Sequence, residues 1–217
     1  MRVGTDAMLL GAWAQPPQTG RILDIGTGCG VIALMMAQQS SSIVNAIDQD
    51  SPSIAEARGN FEQSPWGNRL TAIQSSLHDF ASLNAVEYDF IITNPPYFAN
   101  SLKSPSNRKN VARHDVTLSL EALAEDIQII LSRQGRLAII LPPEPAGRFI
   151  FLCEESGIHL VSRMIVFPKP DVPGSRILME FSRNEEGQTN ETELTILDAA
   201  GKYSAAYLTL TSAFHKF

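Results

Sequence analysis

Residues 94 to 97 of the 217-residue chain read Asn-Pro-Pro-Tyr, and they close the apolar run YDFIIT (88–93), which has the make-up of a buried strand. The prolines remove two backbone donors and fix two φ angles, so the carbonyls between them stand outward with no N–H competing for a ligand. An amide, an unopposed carbonyl and an aromatic face could together accept hydrogen bonds from a flat, donor-bearing group and stack against it. Taken alone, Asn94, Pro95, Pro96 and Tyr97 can also be read as a rigid turn after a strand. A second stretch, LDIGTGCGVIAL (23–34), places Gly26, Gly28 and Gly30 between a strand and a helix. Glycines there let backbone N–H groups and a helix N-terminus come close to a ligand, as in nucleotide-binding α/β sites. The spacing G-x-G-x-G departs from the dinucleotide fingerprint G-x-G-x-x-G, whose third glycine position holds Val31 here.

The elements around these stretches alternate short apolar runs with helical ones, the signature of βαβ units and a mostly parallel sheet. RILDI (21–25), SIVNAID (42–48), LTAIQS (70–75), YDFIIT (88–93), GRLAIILP (135–142) and IHLVSRMIVFP (158–168) read as strands. GSRILMEFSR (174–183) should pair antiparallel with the strand before it, because KPDVP is too short for a helical crossover. ELTILD (193–198) reads as a short strand in a tail of mixed signals. Helices are expected over 31–39, 51–64 with Ser51 as N-cap and Pro52 at its first position, 118–132 and 145–156. The polar segment 100–117 is long for a plain connection, as functional loops often are. One domain over 1–217 is expected, with a leading segment (1–20), a core (21–183) and a C-terminal tail (184–217).

Composition bounds the remaining possibilities. A chain with 44% hydrophobic and 18% charged residues and no long apolar run reads as a cytoplasmic protein that avoids membranes. Cys29 and Cys153 stand far apart in apolar surroundings and read as small buried hydrophobes, with neither a disulfide nor a metal expected. A net charge of −6 speaks against binding nucleic acid over the whole surface. Locally, however, Lys103, Arg108, Lys109 and Arg113 face only Asp115, so this segment is either a solvated loop or a basic contact surface.

Asp24 before the compact glycine spacing resembles motif I of class I S-adenosylmethionine-dependent methyltransferases. The resemblance implies a Rossmann-like fold with seven strands, one of them antiparallel, and helices on both faces. It also implies that Asp24, Gly26, Gly28 and Gly30 lie under the methionine part of the cofactor, that Asp48 meets the ribose hydroxyls and that Ser76 stands at the adenine position. Asp48 could instead be a strand-ending turn residue. Asn94-Pro95-Pro96-Tyr97 then resembles the motif of amino-methyltransferases that modify exocyclic amines or glutamine amides. A conjugated amine is a poor nucleophile because its lone pair is delocalised, and acceptors at the Asn94 side chain and the Pro95 carbonyl would draw it toward a pyramidal geometry. Tyr97 would stack the base.

VGTDAMLLGAW (3–13), GNFEQSPW (59–66), ARHDVTLSLEAL (112–123) and YSAAYLTLTSAF (203–214) narrow the likeness to bacterial tRNA1(Val) adenine-37 N6-methyltransferases. That resemblance implies a tRNA substrate and a cofactor pocket closed by Thr5 and Asp6. Asp6 could equally cap the helix that follows. Arg108, Lys109 and Arg113, with Lys103, Lys169 and Arg176, would contact phosphates; His114 either assists or is a bystander. Trp13, Trp66 and His159 read as packing or structural residues. Monomer is the favoured state. Alternatives at this point are a related enzyme acting on rRNA or DNA adenine, rRNA guanine or protein glutamine, an NAD-binding oxidoreductase, and a silent binding module.

Overall fold

The apolar runs become strands of one sheet, and the helical stretches between them cover both of its faces. The computed structural model describes residues 4–83, 86–96, 119–184 and 187–214. In chain order the elements are α1 (Thr5–Trp13), β1 (Arg21–Ile25), α2 (Val31–Gln39), β2 (Ile43–Asp48), α3 (Ser51–Glu62), β3 (Leu70–Gln74), α4 (Leu77–Leu83), β4 (Tyr88–Thr93), α5 (Leu120–Ile130), β5 (Leu131–Leu141), α6 (Pro143–Glu155), β6 (His159–Phe167), β7 (Arg176–Ser182), β8 (Asn190–Thr195) and α7 (Ala205–Thr211). The strand order is β3-β2-β1-β4-β5-β7-β6-β8. Among the described residues only β7 runs against its neighbours, β5 and β6, as the short KPDVP connection requires.

Side chains of the central strands point alternately to the two faces. Ile22, Phe90 and Ile92 pack with α1, α2, α3 and α7, while Leu23, Ile25 and Ile91 pack with α4, α5 and α6. Covering both faces is what lets these strands carry near-continuous apolar sequence.

Five local features differ from expectation, one of them the helix α7 in the segment read as a tail. Asp50, not Ser51, caps α3, accepting the Ser53 N–H at 3.0 Å. The helix α4 was not expected; Ser76 and Asp79 bracket its start, the Asp79 N–H donating to Ser76 Oγ at 3.1 Å and Ser76 Oγ to Asp79 Oδ2 at 2.7 Å. Strand β5 begins at Leu131 rather than 135, because a bulge sets Leu131 opposite Tyr88 and Arg136 opposite Phe90. The described residues form a sheet of eight strands, and the eighth, β8, lies three residues earlier than ELTILD, running parallel to β6. The segment expected as a tail thus supplies an edge strand.

Gly30 shows how tightly the first unit is packed. It begins α2 at φ 83°, and a Cβ there would lie 2.5 Å from Phe61 Cε1 and 3.2 Å from Ala57 Cβ. Gly30→Ala should destabilise by about 1–3 kcal/mol in denaturant unfolding. Gly59→Ala in α3, where a Cβ meets nothing within 4 Å, should be neutral or mildly stabilising.

Candidate active site

The strand order reverses between β1 and β4, one leading out to β2 and β3 and the other to β5. Open α/β sheets bind ligands at the carboxyl ends of the strands at such a reversal. Here Ile25 pairs with Thr93 on one side and with Ile47 on the other. The residues that follow, Gly26, Asn94 and Asp48, therefore emerge side by side. The buried Thr93 Oγ1 donates to the Ile25 carbonyl at 2.9 Å, tying the last turn of β4 to the start of the glycine loop.

That loop is held from below and from one side. The N–H groups of Gly26 and Thr27 donate to the Ile47 carbonyl at 2.9 and 3.0 Å. Asp48 Oδ2 accepts the Gly28 N–H at 2.9 Å, and its Oδ1 accepts the Asp50 N–H at 2.9 Å. Asp48 thus braces the turn, and each of its oxygens keeps a second lone pair for a ligand hydroxyl. Gly26 takes φ 71°, and the space a Cβ would fill there is open. Beneath the turn Asp24 is fully buried. Its Oδ2 accepts Thr27 Oγ1 at 2.6 Å and the Ala33 N–H at 3.2 Å, while Oδ1 has no partner among the described residues. Burial pushes the Asp24 carboxyl up to about 7, the nearby Asp48 charge adds to this, and the bonds from Thr27 and Ala33 oppose it. An orphaned carboxylate oxygen beside an open glycine turn suits a ligand that brings N–H donors and positive charge.

Asn94, Pro95 and Pro96 line a cavity of about 590 Å³ together with Gly4, Thr5, Asp6, Ser175, Arg176 and Ile196. Thr5 and Asp6 thus share a cavity with Asn94. Asp6 makes no helix cap; Gly4 occupies that position without a side-chain bond. Arg176 Nε donates instead to Asp6 Oδ2 at 2.8 Å, and Arg176 Nη1 to the Ser175 carbonyl at 2.7 Å. The pair fastens the first turn of α1 to the start of β7 and turns Arg176, expected at an RNA phosphate, into part of the cavity wall. Ser175 and Ile196 are further wall residues that the sequence did not single out. Ser76 caps α4 through the bonds described above, so its hydroxyl is engaged by Asp79. Lys169 is exposed in the β6–β7 loop. Tyr97, Lys103, Arg108, Lys109, Arg113 and His114 lie outside the described residues.

The structural readings of other residues hold. Trp13 and Trp66 pack against the core, and His159 Nδ1 lies 2.8 Å from Glu154 Oε2. Cys29 and Cys153 are buried and unpaired, with burial pushing the Cys153 thiol up to about 12. A larger cavity, about 740 Å³, lies at the opposite end of the sheet beside Gly20, Arg21 and Asp89, away from the chemistry-bearing loops. Among the described residues no helix is long and apolar enough to cross a membrane, and no cluster of three or more His, Cys, Asp or Glu is placed to hold a metal.

Comparison with known proteins places this geometry. Residues 3–140 match the family model of the methyltransferase small domain. A tRNA1(Val) (adenine(37)-N6)-methyltransferase of Parabacteroides distasonis is 40% identical over 215 residues, covering 99% of this chain and 91% of the relative. A protein of the same name from Shewanella loihica is 37% identical over 224 residues, covering 99% and 92%. Among solved structures, one described as a predicted O-methyltransferase of Agrobacterium tumefaciens superposes with a TM-score of 0.76 at 17% identity, covering 98% of both chains. The fold is therefore the Rossmann-like one, and the likeness in sequence extends from end to end: the chain belongs to the methyltransferase small domain family and to the tRNA1(Val) (adenine(37)-N6)-methyltransferases.

Proposed function

We propose that this protein transfers a methyl group from S-adenosylmethionine to the N6 amine of an adenine in tRNA, at position 37 of tRNA1(Val). The observation that carries the reading is the placement of Asn94: strand pairing and the Thr93 bond hold it beside the glycine turn, and it lines the cavity toward β7. Two compartments thus meet at one amide. On one side lie Gly26, the orphaned oxygen of Asp24 and Asp48; on the other, Pro95, Pro96, Ser175 and Ile196.

When bound, S-adenosylmethionine supplies an electrophilic methyl on a sulfonium. Asp24 would answer its positive charge and Asp48 its ribose hydroxyls, with Gly26, Gly28 and Gly30 keeping the backbone close. The Asn94 side-chain oxygen and the Pro95 carbonyl accept the two N–H bonds of the target amine and draw its lone pair out of conjugation. Tyr97 would stack the base; Lys103, Arg108, Lys109, Arg113, His114 and Lys169 would serve the RNA around it. Positioning supplies most of the rate, so neither a metal nor a covalent enzyme intermediate is required. An unpaired anticodon-loop base costs less to present than one flipped from a duplex.

The direct test is transfer from labelled cofactor to total tRNA lacking modifications, with the product nucleoside identified by mass. N6-methyladenosine in tRNA1(Val) is expected; another methylated nucleoside, or none, would overturn the reading. Asp48→Ala should weaken cofactor binding at least about tenfold, since it loses both the ribose contact and the brace on Gly28. Equilibrium titration with the cofactor checks this, and unchanged affinity would remove Asp48 from the site.

A further inference from the structure

We infer that the two loops beyond the cavity, 168–175 and 196–204, form a preassembled RNA-docking rim in which Lys169 and Lys202 take phosphates and Tyr203 stacks a base flanking the target. This rests on the proposed RNA substrate, for which Lys169 is already a candidate contact, and extends it to Lys202 and Tyr203, to which no role is assigned. Both loops lie at the end of the sheet where the cavity opens: Ser175 comes from the first and is followed by Arg176 at the start of β7, and Ile196 comes from the second. They are joined to one another by backbone bonds. The N–H of Ile196 donates to the Phe167 carbonyl at 2.8 Å and that of Leu197 to the Pro168 carbonyl at 3.1 Å. Leu197 in turn pairs with Tyr203 in an antiparallel bridge. Lys169 follows Pro168 and Lys202 precedes Tyr203, so both exposed lysines border the same small ladder.

Tyr203 is 54% exposed and stacks on the buried Tyr207 with ring centroids 4.7 Å apart and an interplanar angle of 20°. One face is thereby fixed against a partner that is only 4% exposed, and the side chain is held ready for a second flat group. Asp198 is the acid of the second loop; its Oδ1 accepts the N–H groups of Ala200 and Lys202, both at 2.9 Å, which holds the carboxylate in its own turn. Asp171 is the acid of the first loop; it is exposed and sits at φ 61°. The rim therefore offers two cations and one aromatic face at the mouth of the cavity against two carboxylates, one of them, Asp198, turned into its own loop by backbone bonds; the two lysines and the open ring face suit a single-stranded, phosphate-bearing chain.

The test measures KM and direct binding of unmodified tRNA for four variants. Lys169→Glu/Lys202→Glu should raise KM and the RNA dissociation constant at least tenfold, mostly without loss of kcat, and reduce the salt slope by about two. Tyr203→Ala should weaken RNA binding about fivefold or more, and Tyr203→Phe should retain it. Asp171→Asn, which tolerates the same backbone conformation, should tighten it about twofold. Cofactor affinity and circular dichroism should match the unsubstituted protein in all of them. An unchanged RNA affinity in the lysine pair, or Phe no better than Ala at position 203, would overturn the rim. Absence of any methyl transfer by the unsubstituted protein would instead overturn the proposed substrate, and the binding measurements judge the rim independently of that outcome.

Discussion

Asn94→Ala should lower the rate of methyl transfer by about 10²–10³-fold or more while leaving cofactor affinity within a few fold. The reason is positional. Asn94 follows Thr93, whose hydroxyl and strand pairing fix it at the shared end of β1 and β4, whereas the cofactor contacts rest on Asp24, Asp48 and the glycine turn. Removing the amide takes away an acceptor that matters when the amine rehybridises, so kcat should fall more than KM rises. Single-turnover transfer, paired with equilibrium titration of the cofactor, separates the two effects. If the variant lost cofactor binding as severely as Asp48→Ala, the separation of roles between the compartments would fail.

The second large effect concerns Asp24 and pH. Its carboxyl rises from 3.8 to about 7 on folding in the absence of ligand. A raised folded value means that the native state holds its proton more tightly than the unfolded chain. This stabilising contribution is complete below about pH 4 and is lost as pH climbs through about 7, on the order of a few kcal/mol. Asp24→Asn removes that slope. The difference in melting temperature between variant and unsubstituted protein should therefore shift in the variant's favour from pH 5 to pH 8. A positively charged cofactor favours the ionised form, so its affinity should fall below pH 7 in the unsubstituted protein and lose that pH dependence in Asp24→Asn, at a lower overall level. Calorimetric titration in buffers of different ionisation enthalpy should show a proton released on binding at pH 6. Identical pH profiles for the two proteins would exclude Asp24 as the titrating group.

Asp24, the glycines, Asp48 and Asn94 were legible because each sits within a few residues of a strand end whose apolar pattern is strong. Local order carries them. Ser175 and Ile196 reach the same cavity from the start of β7 and the end of β8, and only the sheet order brings them there. The Asp6–Arg176 pair was invisible for the same reason: two ordinary charges separated by 170 positions leave no local trace. The missed helix α4 buries only Leu77, Phe80 and Ala81 over seven residues, too few to mark a period. Its one readable sign was Ser76 three positions before Asp79. For Asp48 the two readings, ligand contact and strand-ending turn residue, stood as alternatives, yet the turn role leaves room for the other, since the Gly28 and Asp50 amides end on it and each oxygen keeps a lone pair.

Strand β8 was placed late because Asn190–Thr195 lacks an apolar alternation; all but Leu194 and Thr195 are exposed. The same polarity has a consequence for association. An outermost strand presents unpaired N–H and C=O groups on which a foreign strand can template itself. Here that border carries Glu191 and Glu193, with Glu191 ion-paired to Arg163 on β6. A second β8 brought alongside would set carboxylates against carboxylates and find little apolar surface to bury. The stretch that is hardest to recognise as a strand is thus the one that guards the sheet against growing by one more.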